Sequence, residues 1–459
     1  MTVARLEHID LPDFGMPGSM PQLPDDIYVA RLARARQRAG ERGYERLVIY
    51  ADREHSANLA YVSGFDPRFE EAILILGTDD DPLLLVGNEC VGMAQAAPLP
   101  MRVELWQDLS LTGQPRDRSR ALPDILAAEG VRAGARTGVV GWKSFADRSW
   151  LEVPSFLADA LRTAVGPSGL VENANDIFID AGSGLRATNE VEQLAAYEYA
   201  ACHTSEGVKR LLRGLRPGMS EQEAVQLLRW NGTPLSCHLM LSSGPRATLG
   251  LLSPTDKVIE RGDRFTTAFG VWGALDCRAG FVVEDASELP SEIGDYVDKL
   301  VAPYFEAIAA WLEALRVGQT GDVLQAIIDE RLGDPFFGIG LNPGHLIGLD
   351  EWVNSPVYVG SSIALRSGMA MQVDVIPATG TDYFTTNIES GIALADEALR
   401  IDFTDRYPEA WARIEARRAF MLDSLGITLH PDVLPFSNLP AYLAPFLLRP
   451  ERAMTMRVA

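Results

Sequence analysis

Apolar and polar positions alternate with two different periods in the first half of the chain, and each period predicts a different element. In residues 27–43 the apolar positions recur among charges every three to four residues, which predicts an amphipathic helix. Short runs of leucine and β-branched residues, bounded by glycine, aspartate and proline, predict strands. The strand-like runs are residues 44–52, 57–67, 71–77, 82–87 and 136–141. With helices predicted at 118–129 and 150–163, this half reads as an α/β domain.

A flexible stretch, AGSGLRATN at residues 181–189, separates this half from the next. The pattern after it predicts a long amphipathic helix over 189–215, which stops at an Arg-Pro-Gly sequence. Ser220 and Glu223 then form a capping box for a second helix. We therefore predict two domains, residues 1–184 and residues 185–459.

The two ends of the chain lack this periodicity. Residues 1–25 are rich in proline, and we predict that they form an arm lying on the body of the protein. The last 35 residues, 425–459, alternate proline with aromatic residues and leucine, and they are too apolar to be disordered. We expect this tail to run extended over the domain surface or along a subunit seam.

Composition narrows the function classes without choosing a substrate. At 459 residues and 47% apolar content, the chain is long enough for two domains with their own cores. A formal net charge of -22 argues against nucleic acid, because phosphate binding needs clustered Lys and Arg. The four cysteines show neither metal-binding nor disulfide spacing, which suits a reducing compartment. We see no apolar signal-peptide segment near the start and no uncharged run long enough to span a membrane, so we expect a cytoplasmic protein without membrane contacts.

Three short motifs in the second half carry candidate chemistry. His345 lies in the stretch PGHLIGLD, Asp374 ends the apolar run GMAMQVD, and Glu389 lies in NIESGIAL. Together they place one imidazole and two carboxylates on successive apolar segments. The pattern resembles the pita-bread enzymes, which include creatinase, aminopeptidase P, prolidase and methionine aminopeptidase. In that family the histidine occupies a G-H-x-[IF]-G turn, one acid ends a strand, and a second acid begins another strand.

The resemblance implies a mixed α/β (α+β) fold with two domains. The first would be a small creatinase- or prolidase-like α/β domain, and the second a pita-bread domain of antiparallel sheet covered by helices. It also implies a homodimer that hydrolyses C–N bonds.

Several positions depart from the family pattern. Where relatives carry a metal-binding aspartate, this chain has Ala268, and the second aspartate position falls on Ala279, with Asp276 close by. A substrate-facing histidine is replaced by Leu251, and the second histidine after the G-L turn is replaced by Trp352. Since two metal ions need bridging carboxylates to offset their repulsion, these losses argue against a two-ion site.

The remaining ligands are enough for one divalent metal ion or for none. They are His345, Asp374 and Glu389, joined by Asp276 if a short deletion brings it into place. Asp374 is one methylene shorter than the usual glutamate. Three such ligands can hold one ion with an open position.

Other residues are candidates for the lost functions. His238 follows Cys237 on a predicted strand, so only one of the two points inward, and His238 is a candidate base. Arg246 and Arg278 are candidates to clamp a substrate carboxylate, although surface salt bridges explain them equally well. Cys277 beside Arg278 is either a thiolate-prone residue or a buried, inert one. Trp352 is a candidate substrate contact.

These observations favour an atypical hydrolase that acts on a C–N bond of a small substrate, with His345, Asp374, Glu389 and His238 as its catalytic candidates. One alternative is an Xaa-Pro-type metallopeptidase acting on short peptides. The other is a catalytically inactive pita-bread protein that binds a peptide or a partner.

Overall fold

The computed structural model describes residues 2–458, and its first element is a strand that the sequence pattern did not predict. Strand β1 (Thr2–His8) pairs antiparallel with the last strand of the chain, so residues 1–25 are not simply a surface arm. The fold divides into two compact units. The amino-terminal unit is Leu23–Ala187, and the carboxy-terminal unit is Thr188–Ala459 together with Met1–Gln22.

The amino-terminal unit is built on one six-stranded sheet in the order β5-β4-β3-β2-β6-β7. Its strands are β2 (Arg46–Ala51), β3 (Ala72–Leu76), β4 (Leu83–Val86), β5 (Arg102–Leu105), β6 (Arg136–Val140) and β7 (Leu170–Asn173). Its helices are α1 (Asp25–Glu41), α2 (Ala57–Ser63), α3 (Val91–Ala94), α4 (Leu122–Ala128), α5 (Ser155–Val165) and α6 (Asp176–Ile179). Val48, Ile73, Leu85, Ile125 and Leu161 lie in its core.

One predicted strand in this unit is wrong. Residues 57–67 contain helix α2, whose seven residues are all buried and which ends at Gly64 with φ of 70°. A short apolar run has no polar face to reveal its period, so a buried helix and a buried strand look alike in sequence.

The carboxy-terminal unit contains six α-helices among the described residues. They are α7 (Val191–Gly214), α8 (Glu221–Gln226), α9 (Ala302–Ala314), α10 (Gly321–Leu332), α11 (Glu397–Arg406) and α12 (Pro408–Asp423). The capping box predicted at Ser220 and Glu223 is present at the start of α8. A π-helical turn, Val297–Val301, leads into α9.

Two four-stranded antiparallel sheets form the centre of this unit. The first sheet has the order β13-β10-β9-β8 and the second the order β11-β12-β14-β15. Their strands, with the last strand of the chain, are β8 (Met240–Ser243), β9 (Arg264–Val271), β10 (Ala274–Phe281), β11 (His345–Leu346), β12 (Ala370–Gln372), β13 (Asn387–Glu389), β14 (Gly391–Leu394), β15 (Val433–Pro435) and β16 (Arg452–Val458). Only Ser390 separates β13 from β14, so the chain passes from one sheet to the other directly after Glu389. Glu389 therefore lies where the two sheets meet.

The tail is not a surface segment as predicted. It contributes β15 to the second sheet and β16 to the pair with β1. Residues 433–447 are buried throughout, and the Tyr442 hydroxyl donates to the carbonyl of Pro450. Across residues 2–458, no helix combines the length and the apolar character that crossing a membrane would require.

Candidate active site

His345 is held at the start of β11 by a backbone position that only glycine fits. Gly344 has φ of 113°, and a Cβ atom there would lie 2.8 Å from Trp311 Cζ2 and 3.1 Å from the carbonyl oxygen of Gln372. The His345 side chain is fully buried, and its Nδ1–H donates to the carbonyl of Leu346 at 3.2 Å. This bond leaves Nε2 as the nitrogen that is available to the site.

Three carboxylates surround His345 Nε2. Glu351 Oε1 lies at 3.2 Å, Glu389 Oε1 at 3.5 Å and Asp374 Oδ2 at 3.8 Å. The side chains of Asp374 and Glu389 are almost fully buried, whereas that of Glu351 is 24% exposed. Within residues 2–458, neither His345 Nε2 nor Asp374 Oδ1 has a hydrogen-bond partner of good geometry. Buried polar atoms without partners are costly, so these two atoms leave bonding capacity unused at the centre of the cluster.

The nearby carboxylates reverse the effect of burial on the pKa of the His345 imidazole. Burial alone lowers the pKa of His345, but Glu351 and Glu389 outweigh it and raise that pKa to about 10. Burial, reinforced by the Glu389 charge, raises the pKa of Asp374 well above its usual range. At neutral pH the cluster therefore contains an imidazolium ion, and Asp374 holds its proton more tightly than an exposed carboxyl does.

Glu351 and Trp352 come from a loop that folds back over His345. Backbone bonds from Leu346 N to Asn354 O at 2.7 Å and from Val353 N to Leu346 O at 3.0 Å close this loop. The Trp352 indole stacks on the imidazole with ring centroids 4.1 Å apart and a 17° angle between the planes. Trp352, a candidate substrate contact from its position in the sequence, is thus in direct contact with His345. Glu351 escaped prediction, since only the returning loop shows that the acid next to Trp352 points at His345.

The first sheet contributes a row of three residues. Cys277 on β10 pairs with Ala268 on β9 and with Glu389 on β13. Burial, reinforced by the neighbouring Glu389 charge, raises the pKa of the Cys277 thiol well above its usual value. Cys237 is close enough to Glu351 and Glu389 that burial and these two charges raise its pKa to about 12. Two thiols therefore flank the carboxylate cluster.

Asp276 is not brought to His345. Its side chain lies on the opposite face of β10 from Cys277, because neighbouring residues of a strand point to opposite sides. There its carboxylate accepts hydrogen bonds from Thr204 and Ser437, both at 2.8 Å, and from Ser390 at 3.3 Å. Burial raises the pKa of Asp276 to about 6. These contacts make it a core residue, and they leave no basis for a metal-binding role.

Two other predicted site residues, His238 and Arg246, also lie outside the cluster. His238 is exposed, precedes β8, and bonds the carbonyl of Leu251 through Nε2 at 2.7 Å. Arg246 lies in a 3-10 helix, bonds the carbonyl of Ser253 and approaches Glu221 at 3.5 Å. The structure thus places neither of them beside His345.

Arg278 is buried, and its donors are used in the core. Nε donates to the carbonyl of Tyr442 at 3.0 Å, Nη1 to that of Cys277 at 2.6 Å, and Nη2 to that of Leu439 at 2.7 Å. A guanidinium committed to backbone carbonyls is not free to clamp a substrate carboxylate.

Known structures share this architecture. The dipeptidase PepE of Mycobacterium ulcerans superposes with a TM-score of 0.61 and 19% identity, covering 82% of this chain and 95% of that one. The prolidase of Pyrococcus horikoshii OT3 superposes with a TM-score of 0.61 and 17% identity, covering 80% of this chain and 95% of that one. The Xaa-Pro dipeptidase of Bacillus anthracis superposes with a TM-score of 0.60 and 18% identity, covering 81% of this chain and 96% of that one. The chain has the pita-bread fold. The fold predicted from the motifs around His345 is therefore confirmed.

The curated protein that matches in sequence covers a smaller part of the chain than the solved structures do. The uncharacterized peptidase YqhT of Bacillus subtilis (strain 168) is 26% identical over 226 residues, which are 47% of this chain and 62% of that protein. The match thus spans less than two thirds of the curated relative. No known family profile matches the chain.

The donor set of this pita-bread domain fits one metal ion better than two. His345, Glu351 and Glu389 each offer a donor atom, and these atoms lie within 4.8 Å of one another. The position expected for a metal-binding aspartate on β9 holds Ala268, which provides no donor, and a thiol faces it. Because two ions 3.5–4 Å apart need bridging acids, we conclude that a second ion does not fit these residues.

Proposed function

We propose that this pita-bread protein is a hydrolase that cleaves a C–N bond in a small substrate or a short peptide. The observation that carries the proposal is a buried imidazole whose Nε2 lies within 3.2–3.8 Å of three carboxylates. Hydrolysis of a C–N bond needs a proton delivered to the leaving nitrogen and a proton removed from the attacking water. The cluster contains groups of both kinds, a donor imidazolium and acceptor carboxylates.

Each residue has a role in this scheme. His345, with a pKa of about 10, is charged at neutral pH and donates its Nε2 proton to the leaving nitrogen. Glu389, buried beside it, accepts a proton from water, and Asp374, on the other side of the imidazole, orients the substrate by hydrogen bonding. Trp352 covers the imidazole and limits the access of bulk water. When a metal ion is bound, His345, Glu351 and Glu389 would hold it, and it would supply Lewis-acid polarisation of the scissile group.

Xaa-Pro dipeptides form the second substrate class to be tested. The solved structures with this fold include proteins named as prolidase and Xaa-Pro dipeptidase. At 17–18% identity their likeness supports a common fold, and their substrates come to this chain only as a hypothesis. The missing donor at Ala268 argues against a two-ion mechanism for this chain.

The experiment is a substrate screen followed by one pair of variants. Guanidino, amidino and N-acyl amino-acid compounds are screened beside Xaa-Pro dipeptides. We expect His345→Ala to lower the turnover of any substrate found by roughly 10²–10⁴-fold, which is the effect of losing one acid–base group. His238→Ala, which removes an exposed imidazole outside the cluster, is the matched control and should keep its rate.

Two outcomes would contradict the proposal. A substrate whose turnover changes by less than about threefold in His345→Ala would show that catalysis occurs elsewhere. A peptide that binds tightly at the cluster without being hydrolysed would favour the remaining alternative, a binding protein that has lost its activity.

We further propose a homodimer that resides in the cytoplasm. The dimer follows from the resemblance to pita-bread enzymes with an added amino-terminal domain. The cytoplasmic location is supported by the cysteines, all four of which are free thiols, as expected in a reducing compartment.

A further inference from the structure

A cavity of about 400 Å³ opens in the amino-terminal unit, and the residues that line it belong to that unit. They directly follow β2, directly precede β3, or lie at the turn that follows β5. Ala51 of β2 pairs with Ala72 of β3 at the end of their ladder. Asp52 and Glu71 are the next residues on these two strands, and both line the cavity. We call this space the Glu70 cavity, and its size is that of a small-molecule site.

The lining of the Glu70 cavity is acidic. Its carboxyl side chains are Asp52, Glu54, Glu70 and Glu71, and among the described lining residues Arg53 is the one permanent cation. Four acids and one guanidinium give the lining a formal charge of -3 with His55 neutral. Such a lining attracts a cation and repels an anion.

Glu70 is the side chain whose bonding is incomplete. It is only 2% exposed, and its Oε2 accepts hydrogen bonds from the backbone N–H groups of Glu89 at 3.1 Å and Cys90 at 3.2 Å. Its other oxygen, Oε1, is buried and has no hydrogen-bond partner within residues 2–458. A buried carboxylate oxygen without a donor costs stability, which a donor entering the cavity would restore.

The backbone beside Glu70 is shaped to hold this carboxylate in place. A Cβ atom at Gly87 would lie 2.5 Å from Glu70 Oε2 and 2.9 Å from Oε1, so a larger residue there would push the carboxylate away. Glycine at this position therefore preserves a buried acid with one oxygen unused.

The spacing of the acids favours an organic cation over a metal ion. In the described part of the chain, the one group of three donor residues close enough to share a metal ion is the cluster around His345, so the acids of this cavity are too far apart to do so. An ammonium group carries three donors and can reach separate acceptors. Leu109 and Leu111 also line the cavity and provide an apolar surface for a short alkyl chain.

We propose that the Glu70 cavity binds a small alkylammonium ion. The ammonium group donates to Glu70 Oε1 and to the neighbouring Glu71 carboxylate, and the alkyl chain packs against Leu109 and Leu111. This is a second binding site, formed by the amino-terminal unit, whereas His345 and its carboxylates belong to the carboxy-terminal unit. Binding to the cavity can be measured without any substrate of the proposed hydrolase.

Calorimetric titration of the full-length protein with n-butylammonium chloride is the test. We expect saturable binding of one ion per chain with a dissociation constant of about 1 mM or lower. The neutral analogue 1-butanol, which has the same number of non-hydrogen atoms, should bind at least about tenfold more weakly because it lacks the charge.

Glu70→Gln removes the charge and keeps a carbonyl oxygen for the two backbone N–H groups. It should weaken butylammonium binding by about tenfold or more, since hydrogen bonds between charged groups are the stronger ones. Glu41→Gln, which changes an exposed acid at the end of α1 in the same unit, is the matched control and should leave the affinity unchanged. Leu111→Lys, at a half-buried position of the wall, should abolish binding by bringing its own ammonium group to the cavity.

Several results would overturn the inference. They are the absence of saturable butylammonium binding, equal affinity for 1-butanol, and an affinity that is unchanged in a folded Glu70→Gln or in Leu111→Lys. Calcium chloride that binds at one equivalent and displaces butylammonium would also overturn it, because the site would then be a metal site. The Leu111→Lys arm decides the matter even if Glu70→Gln does not fold. None of these results bears on hydrolysis, which is tested separately by His345→Ala.

Discussion

Replacing Glu351 with glutamine should return much of the His345 pKa toward its ordinary value. In the metal-free protein this pKa is about 10, against a usual value of 6.5. Burial opposes the shift, and Glu351 is the first of the two carboxylates that produce it. Glutamine keeps the size and polarity of the side chain while removing its charge, so Glu351→Gln isolates the electrostatic contribution.

The magnitude follows from the shift and the distances. The rise of about 3.5 units corresponds to ~5 kcal/mol of preference for the charged imidazole. Glu351 lies at 3.2 Å and Glu389 at 3.5 Å, so the two acids contribute comparable shares. Because burial opposes the two acids, their shares together exceed the net rise, and losing one of them lowers the pKa by at least about two units, or ~3 kcal/mol. We therefore expect a His345 pKa of about 8 or lower in Glu351→Gln.

Imidazole NMR is the assay, and a chain with only 6 histidines makes it tractable. The His345 resonance is assigned with His345→Ala and followed by pH titration after chelation of metal. Glu409→Gln, which changes an exposed acid on α12, is the control and should leave the titration unchanged. A His345 pKa that stays within half a unit of wild type in Glu351→Gln would refute this account of the cluster.

The same shift predicts how stability depends on pH. The folded pKa of His345 lies above its unfolded value of about 6.5. The folded state therefore binds this proton more tightly, and the resulting stability is fully present below pH 6.5 and is lost as the pH rises through about 10. Urea unfolding should show a smaller loss over this window in Glu351→Gln than in wild type.

Further predictions concern metal content, the buried ion pairs and assembly. Protein purified without added metal should contain clearly less than two equivalents of transition metal, and elemental analysis showing two tightly bound ions would contradict the ligand assignment. Glu198 is buried against Arg413 at 2.7 Å and Arg417 at 2.8 Å, so Glu198→Gln should cost about 3–5 kcal/mol of unfolding free energy. The partly exposed pair of Glu288 with Arg261 is the comparison, and Glu288→Gln should cost under about 1 kcal/mol in the same urea titration. Light scattering should give a dimer at micromolar concentration, and a mass near 50.1 kDa would rule it out.

Short motifs in the sequence were enough to predict the fold and to select residues that the structure brings together. His345, Asp374 and Glu389 are each set by local sequence, a glycine turn or the end of an apolar run, and all three meet at the junction of the two sheets. Glu351 depends on how a loop returns to β11, which no local pattern encodes. It could be recognised only after the loop was seen to pair with Leu346.

Strand register explains the other differences. Asp276 and Cys277 are neighbours in sequence, and spacing alone could not decide which of them faces the cluster. The pairing of Cys277 with Ala268 decides it, because the alternation of side chains then sends Asp276 into the core. Arg278 was open to either interpretation for a similar reason, since its partners are carbonyls from the distant tail residues Leu439 and Tyr442.

The pairing of the first strand with the last imposes an order of events during synthesis. Thr2 pairs in register with Val458, so β1 has no partner in the ladder until β16 has been synthesised. The residues of the amino-terminal unit are made in between, and their six-stranded sheet needs nothing from the later sequence to complete its pairing. On the ribosome, the amino-terminal unit can therefore complete its sheet while β1, which belongs to the carboxy-terminal unit, is still unpaired. Such an edge is a template for pairing with other chains, which makes the nascent protein vulnerable to aggregation until β16 emerges.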